Sequence, residues 1–493
     1  MSNSSLDKEK GFTHVHGVDD ISQAEDEAQI KARFASYGLG KLFEAGVEAR
    51  GIERVPESER QSKHGIGLLL LWFSVNIVLT TIPIGMLAQP VFTLTFAHTV
   101  GTTIGFSIIG CLTVAFIATL GPRFGMRTMI ITRYSYGYWG GTLISLLNVL
   151  TQLGFSVIAV ILAGQVFHEV NHNMPLIVGV ILIGVISGNV FSPHLLHWVM
   201  LFLSHTKTTI LFTELSSYDF LHYYERFAWI VMSAIFIMVY ALGGHAGYQP
   251  GLQNAHEDPA GRLRAADILS FGGIIFSSCA GWAPVAADFN CRLPSNTPPA
   301  KIFILTFFGL FTPILFIVLL GAALMTVPKY LEVYLSDDAA GVLKAVAGVA
   351  GRQHFSTILN NFLAILGYWV AFWIVIVAEE HFIFRRKDGM LGGYDLRVYD
   401  SPTSYVVFSF RLFMLNLSPP SLASRLPVGA AAVFASLCAI AGAVVSMAQV
   451  WYIGPIARKL GPFGGDMGFE FAASFAAIIY PPLRYLEIRR FGR

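Results

Sequence analysis

Four side chains, Asn148, Gln152, Phe155 and Ala159, recur at helical spacing inside the apolar stretch LNVLTQLGFSVIAVILAGQVF. Positions three and four apart share one face of a helix. An amide facing hydrocarbon is costly, so this face points inward. There Gln152 or Asn148 could bond the edge of a solute while Phe155 stacks on its ring. The same amides could equally bond neighbouring helices, a contact worth about 1 kcal/mol in membranes. A second group lies in SSCAGWAPVAADFN (277–290), where Gly281, Trp282 and Pro284 interrupt an apolar run and Asp288 follows. A planar heterocycle between Trp282 and Phe155, its edge read by amides, would suit these residue types. Asp288, Glu379 and Glu380 are the acids nearest the hydrocarbon. Acids inside membranes default to proton or ion relays, although all three fall near span ends, where water could reach them.

The elements that must position these residues are membrane helices. The 493-residue chain is 54% hydrophobic and 13% charged, with a mean hydropathy of +0.60. Soluble domains carry about 25% charged residues. Apolar runs of roughly 20 residues predict ten spans, near 67–97, 100–120, 138–167, 174–187, 227–243, 268–287, 302–327, 357–384, 428–452 and 468–483. The first is interrupted at LTTIPIGMLAQP by Pro83, Gly85 and Pro90, and the sixth at Gly281 to Pro284. Irregular backbone survives at membrane depth where it lines a cavity or is buried in protein. Two broken spans in corresponding places therefore point to an inverted-repeat transporter whose half-helix ends offer free N–H and C=O groups. Gly and Pro are also simply tolerated in membrane helices, but the Trp at the second break favours function.

Charge sets the expected orientation. Arg123, Arg127 and Arg133 lie between spans 2 and 3, Arg385, Arg386 and Lys387 follow span 8, and four Arg residues mark the C-terminus. Both termini are thus expected in the cytoplasm, with Arg262 and Arg264 dissenting. Residues 1–65 form a polar tail without a signal peptide. Cys111, Cys279, Cys291 and Cys438 form no CxxC pair and read as small core residues.

Several chemistries find no support. A net charge of +2 gives no basis for nucleic-acid binding. GLGKL (38–42) lacks Walker A spacing, which argues against ATP-driven transport. HLLH (194–197) has metal-like spacing but no Glu base. No GxSxG or HExxH motif is present, so the chain is not expected to be an enzyme.

GIERVPESER (51–60), WFSVNIV (72–78), GPRFGMRTMIITRYSYGYWG (121–140), YYERFAW (223–229), GWAPVAADFN (281–290), ILGYWVAFWIVIVAEEHFIFRR (365–386), AQVWYIGPIA (448–457) and GGDMGFEFAASFAA (464–477) resemble the fungal purine–cytosine permeases of nucleobase–cation symport family 1. The resemblance runs from about 51 to 493. It implies an all-α polytopic protein with the leucine-transporter-like five-plus-five inverted-repeat fold. It also implies proton-coupled uptake of cytosine, adenine, guanine or hypoxanthine at the plasma membrane, with no cofactor beyond the coupling proton. The family's Trp at the helix 6 break falls on Trp282, and the polar position of the helix 1 break falls on Thr80 and Thr81. A Trp and an Asn of the family's third helix correspond to Phe155 and Ala159. Ala cannot hydrogen-bond, which makes another small heterocycle, such as a vitamin B6-like ring, an alternative solute.

The chain departs from the family pattern in three places. Residues 188–217 interrupt the fourth span, and 404–424 interrupt the loop 385–427 that precedes the last two helices (428–493). Within the core (66–384), the text around 335–350 skips the family's helices 8 and 9, including its Asn–Asn–x–Pro–Asn motif. Faulty exon assignment would explain all three. The rival expectation is a non-transporting or defective paralogue.

Overall fold

The computed structural model describes residues 54–60, 65–170, 175–191, 218–251, 263–335, 355–386, 388–396, 426–461 and 463–493. Most of the tail 1–65, HLLH, most of the insert 188–217, the gap region 336–350 and the insert 404–424 lie outside the described residues.

Eleven helices are described: α1 (Gly65–Asn76), α2 (Ile82–Met86), α3 (Phe96–Phe124), α4 (Thr128–Val170), α5 (Leu176–Phe191), α6 (Tyr218–Ala246), α7 (Arg264–Ala280), α8 (Pro299–Leu324), α9 (Phe355–Glu379), α10 (Ala430–Ser446) and α11 (Gly468–Phe491). A π-helical turn, Glu380–Phe384, extends α9. The described strands are β1 (Ala448–Gln449) and β2 (Tyr452–Ile453), paired antiparallel. Six of the described helices are long and apolar enough to cross a bilayer, or seven when α1 and α2 count as one span bent by 61°. Helices α5, α10 and α11 occupy the three other predicted positions. The all-α polytopic expectation holds. Helix α4 leaves Leu143, Leu146, Leu150, Leu153 and Val157 more than half exposed, a stripe that lipid covers.

The core forms where α7 packs on α3 and α9, α8 on α1, α2 and α3, and α11 on α9 and α10. Trp72, Phe271, Trp373 and Tyr480 are fully buried there. Between Leu324 and Phe355 the chain has no room for two further spans of about 20 residues each and a turn.

Three predicted boundaries need correction. The first break opens at Ile77 and Val78, where Val78 is extended (φ −126°, ψ 150°), and not at Pro83. Pro83 sits in the first turn of α2, where its missing N–H has no partner to lose. Helix α4 begins ten residues before the predicted 138, because residues 128–136 continue across a kink at Gly137 (φ 66°). The ninth span stops at Ser446, where Met447 turns extended to enter the hairpin.

Candidate functional site

The second break is built by tightening rather than by a gap. The Gly281 N–H donates to Ser277 O (2.9 Å), an α-helical bond, but the Trp282 N–H reaches Cys279 O (3.3 Å). Three-residue bonds then run from Val285 to Trp282, Ala286 to Ala283 and Asp288 to Val285. Pro284, in the first turn of this 3-10 segment (Ala283–Val285), cannot donate the bond that would restore the α ladder. The first break and this one both pack against α4.

Phe155, Gly281 and Trp282 come together. A Cβ on Gly281 would lie 3.3 Å from Phe155 Cζ and 2.9 Å from Leu366 Cδ2, so the absent side chain is what admits the ring. Phe155 stands edge-on to Phe362 (5.1 Å, 84°), while half-buried Trp282 stands edge-on to Trp72 (6.0 Å, 88°). Phe155 thus reaches the break at Gly281, next to Trp282. Gln152 is half-buried and donates to Asn148 Oδ1 at 3.4 Å, along its own helix. The interhelical bond on this part of α4 comes instead from Thr151, which accepts from Trp369 Nε1 (3.2 Å). Thr81 is buried and Thr80 half-buried at the entry to α2. Ala159 is exposed, one turn beyond the cluster.

The three acids have different surroundings. Asp288 Oδ1 accepts from the Thr128 N–H (2.8 Å), and Thr128 Oγ1 accepts from the Ala287 N–H (3.0 Å). Asp288 therefore caps α4 from another segment. Burial pushes its carboxyl above the usual range, against the pull of the Thr128 bonds. Asp288→Ala should lower stability by about 0.5–2 kcal/mol, read as a drop in thermal midpoint. An unchanged midpoint would show that the cap contributes nothing. Glu380 is 1% exposed and ion-paired to Arg385 (2.7 Å) and Arg484 (3.0 Å), with Tyr480 donating to it at 2.7 Å. Glu379 is half-buried, and its Oε2 has no protein partner.

A small pocket opens between α7 and α9, with Phe92, Ile274, Ala364 and Phe469 among its apolar lining. Its polar lining comes from Ser270 and Ser277 of α7, Asn360 and Tyr368 of α9, Gln449 of β1, and Asp466. Ser277, which lines it, stands one turn before Gly281; Phe155, Gly281 and Trp282 themselves do not line it. Tyr368 donates to Asp466 Oδ2, and Gln449 Nε2 donates to both Tyr368 Oη (2.6 Å) and Asp466 Oδ2 (2.6 Å). Sequence reasoning passed over Asp466, Tyr368 and Gln449. The available signal was two acids, Asp466 and Glu470, opening an apolar span with no Lys or Arg between them.

A family profile described as "Permease for cytosine/purines, uracil, thiamine, allantoin" matches residues 54–378. The purine–cytosine permease fcyB of Emericella nidulans is 29% identical, with 91% of each chain covered. The vitamin B6 transporter TPN1 of Saccharomyces cerevisiae is 28% identical, over 93% of this chain and 90% of that one. The solved structure of Mhp1, a nucleobase-cation-symport-1 family transporter with bromovinylhydantoin bound, aligns with a TM-score of 0.48 at 14% identity, covering 90% of this chain and 97% of that one. The fcyB match spans 514 positions, more than the 493 residues available here, so that relative has stretches without a counterpart in this chain.

Proposed function

Because the chain belongs to the family of permeases for cytosine/purines, uracil, thiamine and allantoin, we propose that it imports purine bases and cytosine across the plasma membrane by proton symport. Family members are permeases, and nothing in the chain calls for an enzymatic reading. The observation that carries the proposal is the meeting of Phe155, Gly281 and Trp282 at the second helix break. Two aromatic side chains at a helix break suit a flat heterocycle. The tightened turn beside them leaves backbone groups free to read its edge. Trp282 and Phe155 stack the ring, Gln152 and Thr81 bond its edge, and one helix group rocks against the other to alternate access. Both termini lie in the cytoplasm, by the Arg and Lys distribution. Purine–cytosine selectivity rests on the relatives. A vitamin B6-like ring is no better supported, since TPN1 matches at 28% against 29% for fcyB.

Trp282→Ala tests this reading. Stacking of a base on an aromatic side chain is worth about 1–3 kcal/mol. The KM for labelled cytosine or adenine should rise by about five- to 150-fold, and Trp282→Phe should recover most of the loss. Unchanged affinity in the Ala variant would show the site to be elsewhere.

A second reading rests on the short connection from α8 to α9, which lacks two spans. It takes the chain as a solute-binding paralogue that does not accumulate its ligand. Reconstituted vesicles separate the two: binding without uptake against a gradient favours the second reading, and uptake that an uncoupler abolishes favours the first.

A further inference from the structure

Asp466 lies buried (7% exposed) between β2 and α11, and every group that touches its carboxylate is neutral. Oδ1 accepts from the Gly468 N–H (2.9 Å), and Oδ2 accepts from Tyr368 and Gln449. Its own N–H donates to Ser270 Oγ (2.8 Å). Glu470, next on α11, has neither carboxylate oxygen bonded to protein. Among the described residues no Lys or Arg pairs with either acid, unlike Glu57, Glu380 and Glu487. The titratable groups facing Asp466 are Tyr368 from α9 and Glu470 from α11. On α7, Asp267 stands three residues before Ser270 and accepts from Thr93 (3.0 Å). Two buried acids without a cation are not stable as two charges.

The second observation is Gln449. It is 6% exposed, it lines the pocket, and its Oε1 has no protein partner. A buried amide that spends both donor contacts on Asp466 and Tyr368 leaves a bare acceptor at the pocket. We propose that Asp466 is a proton-binding site, and that Gln449 reports its protonation state to the pocket. With Asp466 ionised, Nε2 donates to the carboxylate and Oε1 faces the cavity. When a proton adds to Oδ2, the new O–H is a donor and no longer needs the amide N–H. Half a turn of the Gln449 amide then lets Oε1 accept from it, and Nε2 faces the cavity. The pocket edge switches from acceptor to donor with no change of shape. A solute with a ring nitrogen or carbonyl at that edge binds the protonated form more tightly, and by linkage raises its proton affinity. That this is the coupling proton rests on the symport reading above.

Infrared difference spectra of the purified full chain, titrated with acid, read the protonated-carboxyl C=O band directly. The wild-type band should be missing in Asp466→Asn and present in Glu470→Gln. Tyr368→Phe removes a bond that favours the ionised form, so its midpoint should move to higher pH; this variant decides the matter if Asp466→Asn does not fold. A band unchanged in Asp466→Asn, or an unmoved midpoint in Tyr368→Phe, overturns the proposal. Labelled cytosine binding gives the second readout. Above the midpoint the wild-type Kd should rise up to about tenfold per pH unit, as the competent fraction falls, and Asp466→Asn should be flat. A wild-type slope retained in Asp466→Asn also overturns the proposal. Uptake driven by an imposed pH gradient tests the symport reading separately: if it fails while the infrared and Kd results hold, the proton site stands and the symport reading falls.

Discussion

Arg484→Ala is expected to lower stability by about 3–5 kcal/mol, the magnitude for breaking a buried ion pair from one side. Arg484 is fully buried and divides its guanidinium between two acids. Nε and Nη2 donate to Glu380 (both 3.0 Å), and Nη1 donates to Glu487 (3.0 Å). Glu487 in turn accepts from the Gly429 and Ala431 N–H groups (3.1 and 2.8 Å), capping the start of α10. One guanidinium therefore ties α9 to α11 and steadies the carboxylate that caps α10. Removing it leaves Glu380 with Arg385 and Tyr480 alone, and leaves Glu487 without its cation. The thermal midpoint of detergent-solubilised protein should fall steeply. Arg484→Lys should recover only part, because an ammonium cannot present the guanidinium fork. In Arg484→Ala/Glu487→Gln, removal of the stranded charge should return some of the loss, whereas Glu380 keeps its pair with Arg385. A midpoint unchanged in Arg484→Ala would mean that the network is decorative.

That network also shows what the sequence could and could not disclose. The apolar runs and the two interruptions were legible, since span length and helix breakers are local properties. So was the approach of Phe155 to the break at Gly281, because each was marked by its own stretch. Glu380 looked like a relay candidate because it stands beside an apolar run. Its partner Arg484 lies 104 residues away, and no spacing rule connects them. Asp288 was legible as an acid near a span end, but its bond to Thr128, 160 positions earlier, was not. Asp466, Tyr368 and Gln449 come from three separate segments and become a cluster only when α9, α11 and the hairpin pack. The start of the first break was misplaced because Pro83 is compatible with a first helical turn, so the breaker lay inside the next helix.

Gly321→Val is expected to disable transport as well as destabilise the chain. Helices α2 and α8 approach backbone to backbone through two glycines. A Cβ on Gly85 would lie 1.9 Å from Val318 O, and one on Gly321 would lie 2.1 Å from Ile82 O. Small residues allow such approaches between membrane helices, where packing rather than water drives association. Neither obstacle is a side chain that could turn away, so α2 itself must move. Overpacking costs about 1–3 kcal/mol, or more where backbone must shift. Helix α2 carries the first break, so the shift reaches Thr80 and Thr81. Misplacing binding groups by about 1 Å can cost about a hundredfold in rate. Gly321→Ala should lower the thermal midpoint and slow uptake, and Gly321→Val should abolish uptake. Gly101, on α3, supplies the control: no atom lies within 4 Å of its would-be Cβ. Gly101→Ala should be neutral or stabilising by up to about 1 kcal/mol, the helix propensity gain. If Gly321→Ala behaves like Gly101→Ala, α2 is not held against α8, and the first break is not part of a fixed site.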